Sequence, residues 1–304
     1  MSDPIRGVFN ILATPFAPDL QVDVASLRRL VNFQLERGAY GLTILGVLGE
    51  AAKLSVEERA LVTHTVIETV NGRVPVIVGV SHPELTICIR LGTEAVSAGA
   101  AGVMLHAPKM DAPTDQAVYN FYAAFAEAVP CPIVVQDLPT ANNITLSPAL
   151  LARLAEGIGN VRHLKLEDPP LMQKISAVRA VTDKYAIFGG LGGMFFLEEL
   201  KRGAAGTMTG FAFTEVLVKV YQAFSTGDHG TAEAVFDRYL PLIRYENQPL
   251  INLAIRKELL RLRGAIATSV LRPPFVGIDE HTADEIGWML SRVGIADPSA
   301  ILTL

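Results

Sequence analysis

The chain has 304 residues, of which 50% are hydrophobic and 19% charged, and its formal net charge at pH 7 is −5. This composition predicts a compact globular protein with one large domain, or a barrel with an appendage, and excludes a disordered chain. The negative charge and the lack of a basic run argue against nucleic acid or an anionic membrane as a partner. No apolar run approaches the length of about 20 residues that a membrane span needs.

Cysteine and histidine usage narrows the class of protein further. The only two cysteines, Cys88 and Cys131, lie in apolar segments and are expected to be buried thiols rather than a disulfide. Residues 1–16 lack a basic segment followed by a sustained apolar one, so no signal peptide and a cytoplasmic location are expected. His106 and His163 have no clustered acids at ligand spacing, and therefore no metal site is predicted.

Short apolar runs alternate with helical periodicities along the chain. Most runs are rich in Val, Ile, Leu and Ala without in-and-out alternation, as is typical of parallel strands covered by helices. After the first run, an apolar stripe from Val24 to Leu35 predicts a helix with Asp23 as its N-cap. The predicted strands are 7–16, 41–46, 74–81, 102–108, 132–137, 161–167, 185–190 and 206–211. Further helices are predicted near 55–71, 84–98, 115–128, 147–156, 170–182, 194–203 and 213–226.

Eight strand–helix units within about 225 residues predict a (β/α)8 TIM barrel. The related segments GAYGL (38–42), GAAGV (99–103) and GAAGT (203–207) each fall where a helix should end and a strand begin. Their first glycine suits the left-handed position that ends a helix. Such turns recur in any α/β protein, so a doubly wound open sheet is the alternative. Its nucleotide fingerprint after the first strand is absent.

Beyond residue 227 the strand patterns stop. Helical patterns follow at 230–243, 248–264 and 281–294, and no flexible linker precedes them. We therefore predict a barrel over residues 1–227 and a C-terminal three-helix appendage over residues 228–304, packed on the barrel or on another subunit.

The stretch HLKLED at 163–168 places a lysine inside the sixth predicted strand. The two-residue period of a strand puts His163, Lys165 and Glu167 on one face. Because a (β/α)8 barrel carries its chemistry at the C-terminal ends of the strands, Lys165 is expected to project into the barrel mouth. A desolvated lysine amine can condense there with a ketone to form a Schiff base. The alternative is an inert ion pair with Glu167.

Several segments together resemble the dihydrodipicolinate synthase/N-acetylneuraminate lyase family. They are GVLGE (46–50), HLKLED in the sixth strand, TPF (14–16), GAAGVMLHAP (99–108) and PIVVQDLP (132–139). The resemblance covers nearly the whole chain. It implies a class I aldolase-type barrel, assembled as a homotetramer of paired dimers, in which Lys165 forms an imine with pyruvate or a related 2-oxo acid without a cofactor.

The chain departs from the family pattern at several positions. Val47 and Leu48 replace the hydroxyl residues of G-T-T-G-E that bind the keto acid carboxylate, which leaves only backbone N–H groups for that purpose. Gln136 replaces the tyrosine of Y-N-x-P, the family's general acid/base, and an amide cannot exchange a proton near pH 7. Ala141 stands where the synthase branch has an arginine, and Met110 where a tyrosine reaches a neighbouring subunit. Standard dihydrodipicolinate synthase activity is therefore not expected.

Two carboxylates are candidates for the missing base. Glu167 shares the face of Lys165, and Asp137 follows Gln136 in the chain. Either also has a structural interpretation, since Asp137 could point toward the helices and Glu167 could only orient Lys165. The predicted catalytic set is therefore Lys165, Gln136, Glu167 and Asp137. The predicted substrate-binding positions are Thr14, Val47, Leu48, Met110, Gly190 and Met208.

The leading hypothesis is a Schiff-base lyase that acts on a 2-oxo acid by carbon–carbon cleavage, condensation or dehydration. One alternative is a catalytically silent relative that binds a small keto acid or amino acid in a regulatory or scaffolding role, as the lost hydroxyl groups would allow. Another alternative is an enzyme in which Lys165 serves only as a cation.

Overall fold

A computed structural model of the protein describes residues 5–111, 113–274 and 277–304, and within them eight parallel strands close into a barrel in chain order. Strand β1 pairs with both β2 and β8, which completes the closure. The predicted (β/α)8 TIM barrel is confirmed. The strands are β1 (Gly7–Ile11), β2 (Gly41–Ile44), β3 (Val76–Gly79), β4 (Gly102–Leu105), β5 (Ile133–Asp137), β6 (Val161–Leu166), β7 (Ala186–Gly189) and β8 (Gly206–Thr209).

Helices follow the strands as the periodicities predict. Asp23 caps the first of them, because its carboxylate accepts a hydrogen bond from the Ser26 N–H at 2.9 Å. A four-residue helix at Pro139–Asn142 has no counterpart in the prediction, since it is too short to show a period. The helices of the barrel are α1 (Val24–Glu36), α2 (Val56–Val70), α3 (Leu85–Ala98), α4 (Asp115–Ala128), α5 (Pro139–Asn142), α6 (Pro148–Gly157), α7 (Leu171–Val181), α8 (Phe196–Lys201) and α9 (Thr214–Ser225).

The strands are mostly shorter than the apolar runs that predict them. Strand β1 ends at Ile11, opposite Thr43 of β2, whereas the run continues to Phe16. Leu12 and Phe16 nevertheless remain buried in the main core. An apolar run therefore reports burial, and burial continues past the point where strand pairing ends.

Glycines shape the turns and the closure of the barrel. Gly38, Gly99 and Gly203 have φ values of 78°, 103° and 81°, so the predicted left-handed helix ends are confirmed. A Cβ atom on Gly206 would lie 1.9 Å from the carbonyl oxygen of Gly7. Only glycine therefore permits the close approach of β8 to β1.

Two apolar cores support the site. The larger core fills the space between strands and helices, and it contains the free thiol-bearing residues Cys88 and Cys131 as buried side chains. The barrel interior holds a separate cluster. Register places Lys165 of β6 between Gln136 of β5 and Phe188 of β7, a member of that interior cluster. The interior cluster consists of Ile5, Phe9, Ile77, Met104, Val134, Phe188, Ala205 and Met208.

In the described part of the chain, three helices follow the barrel: α10 (His229–Glu246), α11 (Asn252–Leu262) and α12 (Glu280–Arg292). Helix α10 packs on α9, and α11 and α12 pack on α10. The predicted division at residues 227 and 228 falls in the turn between α9 and α10. None of the helices in the described residues is long and apolar enough to cross a membrane.

Candidate active site

Lys165 lies near the C-terminal end of β6 and its ammonium group is almost completely buried. Its Nζ atom is 2.8 Å from Oε2 of Glu167, and the two side chains are 4% and 9% exposed. Leu164 and Leu166 point the other way, into the core beneath the helices. The alternation predicted for this strand thus brings an amine and a carboxylate together on its inner face.

Gln136 completes this arrangement from the neighbouring strand. Its Nε2 group donates a hydrogen bond to Oε2 of Glu167 at 2.9 Å, so the same oxygen contacts both the amide and the Lys165 ammonium. An amide neither takes up nor releases a proton near neutral pH. Gln136 can therefore hold the carboxylate in place without competing for its proton.

Gly190, after β7, makes room for the Glu167 carboxylate. A Cβ atom on Gly190 would lie 2.6 Å from both Cγ and Oε1 of Glu167, closer than such atoms can pack. Any side chain at this position would displace the carboxylate from Lys165. Gly190 therefore helps to place Glu167, and a direct contact of Gly190 with substrate stays a prediction.

A second carboxylate, Glu199 of α8, lies behind β7 and is 1% exposed. A Cβ atom on Gly189 would lie 1.6 Å from its Oε2 atom, so any side chain at this position would displace the Glu199 carboxyl group. Burial, followed by the negative charge of Glu167, raises the pKa of Glu199 to about 8. Glu199 is therefore mostly protonated at neutral pH and adds little negative charge behind Glu167.

The structure selects one of the two orientations that the sequence leaves open for Asp137. Its carboxylate is fully buried on the helix side of β5, with Oδ2 2.5 Å from Nζ of Lys174 on α7. The same Nζ atom is 2.6 Å from Oδ2 of Asp168. Burial raises the pKa of Asp137 to about 6, against the opposing effect of Lys174. Because side chains alternate along a strand, Asp137 faces away from Lys165 and is removed from the candidate bases, which leaves Glu167.

The loop at 46–50, after β2, carries the two apolar replacements. The Val47 side chain is 57% exposed, and Leu48 is partly buried against the main core. The Thr14 hydroxyl donates a hydrogen bond to the carbonyl oxygen of Gly49 at 2.7 Å. Thr14 thus supports the backbone of this loop. Its contact with substrate stays a prediction, and the hydroxyl group that would make it already donates to Gly49.

Glu50 ties the same loop to the C-terminal helices. Its backbone has a φ of 55°, a left-handed conformation that typically costs a non-glycine residue about 1–3 kcal/mol. Its Oε1 is 2.6 Å from Nζ of Lys257 on α11, and its Oε2 is 3.0 Å from Nζ of Lys53. Oε2 also accepts a hydrogen bond from the Arg272 N–H at 3.2 Å. These contacts fix the loop. Burial lowers the pKa of Lys257 to about 8, although the negative charge of Glu50 acts to raise it.

The remaining predicted binding residues lie at different depths. Met110 is partly buried against the main core. Met208 has no exposed surface and packs in the interior cluster with Phe188. Met208 therefore contributes to the packed interior of the barrel, and its contact with substrate stays a prediction.

The two histidines near the predicted site contact a backbone carbonyl group and an aromatic ring. Nδ1 of His106 lies 2.9 Å from the carbonyl oxygen of Ala107, and the ring of His163 lies 6.3 Å from that of Phe188. Within residues 5–111, 113–274 and 277–304, no group of three His, Cys, Asp or Glu side chains is arranged to hold a metal ion.

Lys174 and Lys257 are buried cations that sequence reasoning missed. Lys174 shares a buried helical stripe with Ile175 and Val178. Lys257 lies in α11 among equally buried apolar neighbours. A lysine within an otherwise apolar helical stripe is the signal that could have identified both, because such a lysine needs a buried acidic partner.

Residues 4–293 match the model of the Dihydrodipicolinate synthetase family. The chain belongs to this family. Over 289 residues it is 35% identical to an L-2-keto-3-deoxyarabonate dehydratase of Azospirillum brasilense, covering 92% of each protein. Over 295 residues it is 30% identical to a 4-hydroxy-tetrahydrodipicolinate synthase of Syntrophus aciditrophicus, covering 95% of this chain and 99% of the relative. The crystal structure of a dihydrodipicolinate synthase from Rhodopseudomonas palustris matches with a TM-score of 0.90 and 35% sequence identity. The match covers 95% of this chain and 98% of the synthase chain.

Membership of the dihydrodipicolinate synthase family confirms the predicted resemblance and enzyme class. Members are lyases, and Schiff-base chemistry with pyruvate is typical of them. Both a dehydratase and a synthase are found among the relatives of this chain. Family membership is therefore compatible with either reaction.

Proposed function

We propose that this family member is a Schiff-base dehydratase of a 2-oxo acid with a CH2 group at C3 and a hydroxyl group at C4, that is, a 2-keto-3-deoxy sugar acid. The observation that carries the proposal is the contact of Glu167 with both Lys165 and Gln136. Gln136 stands at the position where the family pattern has a tyrosine as general acid/base. The name of the Azospirillum brasilense relative, an L-2-keto-3-deoxyarabonate dehydratase, supports the same class of substrate.

The reaction begins with imine formation at Lys165. The Lys165 ammonium gives a proton to the Glu167 carboxylate 2.8 Å away, and the free amine attacks C2 of the substrate. The C2 oxygen leaves as water after taking up two protons, one from the attacking amine and one from Glu167. A protonated imine remains, and its positive nitrogen draws electrons from C3.

Elimination then needs one group that can take up and return a proton. The Glu167 carboxylate removes a proton from C3, and the C–H electrons form an enamine. The enamine electrons expel the C4 hydroxyl group, which leaves as water with the proton that Glu167 held. Hydrolysis of the resulting unsaturated imine releases the product and restores Lys165, while Gln136 holds the carboxylate throughout.

The replacement of the tyrosine is compatible with dehydration, in which Glu167 handles both protons. Cleavage between C3 and C4 requires a base at the C4 hydroxyl, the role that the resemblance gives to the tyrosine. The Gln136 amide cannot take that proton. Dehydration instead needs an acid at the C4 hydroxyl, and Glu167 becomes one when it removes the C3 proton.

The proposal is tested by trapping and turnover together. Incubation with pyruvate and borohydride should label Lys165, with Lys174 and Lys257 unlabelled as internal controls for buried lysines. A 2-keto-3-deoxy acid followed by proton NMR should lose water in the presence of the enzyme. The Lys165→Arg variant should give neither label nor product. Absence of label with every 2-oxo acid would refute the imine, whereas thermal stabilisation by a keto acid without turnover would favour the catalytically silent binder.

We also propose a homotetramer, as the family resemblance implies. Light scattering on the full chain should then give about four times the 32.7 kDa mass of one chain. A mass equal to that of one chain would contradict the proposal. A mass equal to that of two chains would exclude the tetramer and show a dimer instead.

A further inference from the structure

Lys174 is a buried cation that the proposed reaction does not use, and it lies directly behind the site. Its side chain is 7% exposed, and Nζ is 2.5 Å from Oδ2 of Asp137 and 2.6 Å from Oδ2 of Asp168. Asp137 ends β5, and Asp168 follows the end of β6. One ammonium group therefore bridges the ends of two adjacent strands from the helix side.

The bridged residues are chain neighbours of the residues around the proposed imine. Gln136 precedes Asp137, and Glu167 precedes Asp168. The Glu167 N–H also donates a hydrogen bond to the carbonyl oxygen of Asp137 at 2.9 Å. Because side chains alternate along a strand, the position of Asp137 on one face sets the position of Gln136 on the other. Movement of the bridge would therefore be transmitted to the contact between Gln136 and Glu167.

The positive charge of Lys174 is what holds the two carboxyl groups together. Without the ammonium group, burial and the nearby Asp168 would raise the pKa of Asp137 further, so its carboxyl group would take up a proton and would no longer be held beside Asp168 by a shared cation. The strand ends that carry the two carboxyl groups would then no longer be tied together on the helix side. Apolar packing of α7 alone does not require a cation, since a buried ion pair can often be replaced by apolar residues without loss of stability.

We propose that Lys174 is a positioning residue that, by bridging Asp137 and Asp168, holds Glu167 and Gln136 at their working distance from Lys165. The inference rests on the proposed function, because its consequence appears in proton transfer through Glu167. A displacement of about 1 Å can reduce the rate of such a step by about 100-fold. The amount of imine at equilibrium depends instead on Lys165 and on binding of the keto acid.

The test compares proton exchange with imine formation in the Lys174→Met variant. With pyruvate in D2O, Glu167 removes a C3 proton from the imine and returns a deuteron, which NMR detects as loss of the methyl signal. We expect the exchange rate at saturating pyruvate to fall by about 10- to 100-fold. Borohydride trapping of Lys165 at equilibrium should stay within about twofold of the wild-type level.

Two further variants separate positioning from stability. Glu215→Gln removes a carboxylate from a buried ion pair with Arg263, 2.5 Å apart and outside the proposed machinery, and should leave the exchange rate unchanged. The double variant Lys174→Met, Asp137→Asn also removes the buried carboxyl group that has lost its cation and should recover thermal stability. We expect its exchange rate to remain low, because the bridge is still missing.

The outcomes distinguish this inference from the proposed function. Wild-type exchange in the Lys174→Met variant, or full recovery of exchange in the double variant, would overturn the positioning role alone. Failure of the wild-type chain to form an imine with any 2-oxo acid would overturn both.

Discussion

The contact between Lys165 and Glu167 decides which groups can move a proton in the proposed reaction. In the Glu167→Gln variant, an amide would occupy the place of the carboxylate and could not accept the C3 proton. We expect kcat for the 2-keto-3-deoxy acid to fall by about 100- to 10,000-fold, the usual contribution of a general base. Turnover followed by NMR reports the dehydration, which includes removal of the C3 proton. Borohydride trapping at equilibrium reports imine formation at Lys165 separately. A kcat within threefold of wild type would exclude Glu167 as the base.

The buried Glu199 carboxyl makes stability depend on pH. Its pKa is about 8 in the folded chain against an ordinary value of 4.5, so the folded state keeps a proton that the unfolded state loses. The free energy of unfolding should therefore decrease as pH rises from about 4.5 to about 8. One pKa unit corresponds to about 1.4 kcal/mol, which sets an upper limit of about 3 kcal/mol between pH 5 and pH 7.

The Glu199→Gln variant tests this dependence, because the amide has the same shape and does not titrate. Denaturant unfolding at pH 5, 6 and 7 should show a smaller decrease in stability with pH than in the wild-type chain. Glu57→Gln, on the exposed side of α2, is the matched control and should preserve the wild-type pH dependence between pH 6 and pH 7. Equal slopes for Glu199→Gln and wild type would contradict a protonated Glu199.

At the level of elements, helix α11 holds the loop at 46–50 through Lys257. The Lys257→Met variant removes the contact of 2.6 Å to Glu50, whose left-handed backbone it helps to stabilise. Since the sequence predicts that backbone N–H groups of this loop bind the substrate carboxylate, we expect the pyruvate concentration for half-maximal trapping to rise about tenfold. The exchange rate at saturation should change much less, the reverse of the effect expected for Lys174→Met. Unchanged affinity for pyruvate would show that the loop does not depend on α11.

At the scale of the whole molecule, the C-terminal region after the barrel supplies cations that buried carboxylates of the barrel need. A chain that ends at residue 227 would keep the buried carboxylates of Glu50 and Glu215 without Lys257 and Arg263. Removing one partner of a buried ion pair typically costs about 3–5 kcal/mol, a large part of the stability of a domain. We expect no cooperative thermal transition in calorimetry. A transition close to that of the full chain would contradict this dependence.

Local patterns in the sequence predicted the barrel and the inner face of β6. Helix periods, the Asp23 cap and the glycines at 38, 99 and 203 act over a few residues, so they can be read without knowing the neighbours. The alternation of β6 placed Lys165 and Glu167 together for the same reason. The C-terminal end of β1 was predicted less well, since pairing stops at Ile11 while burial continues to Phe16.

The sequence by itself thus determined the barrel, the family and the lysine on its sixth strand, because periodicity and motif are properties of neighbouring residues. The tertiary structure decided that Asp137 does not reach that lysine. Asp137 turned out to pair with Lys174, and Glu167 with Lys165 and Gln136. The physical reason is that a buried charge takes its partner from whichever element folding brings within about 3 Å, and that partner can lie anywhere in the chain.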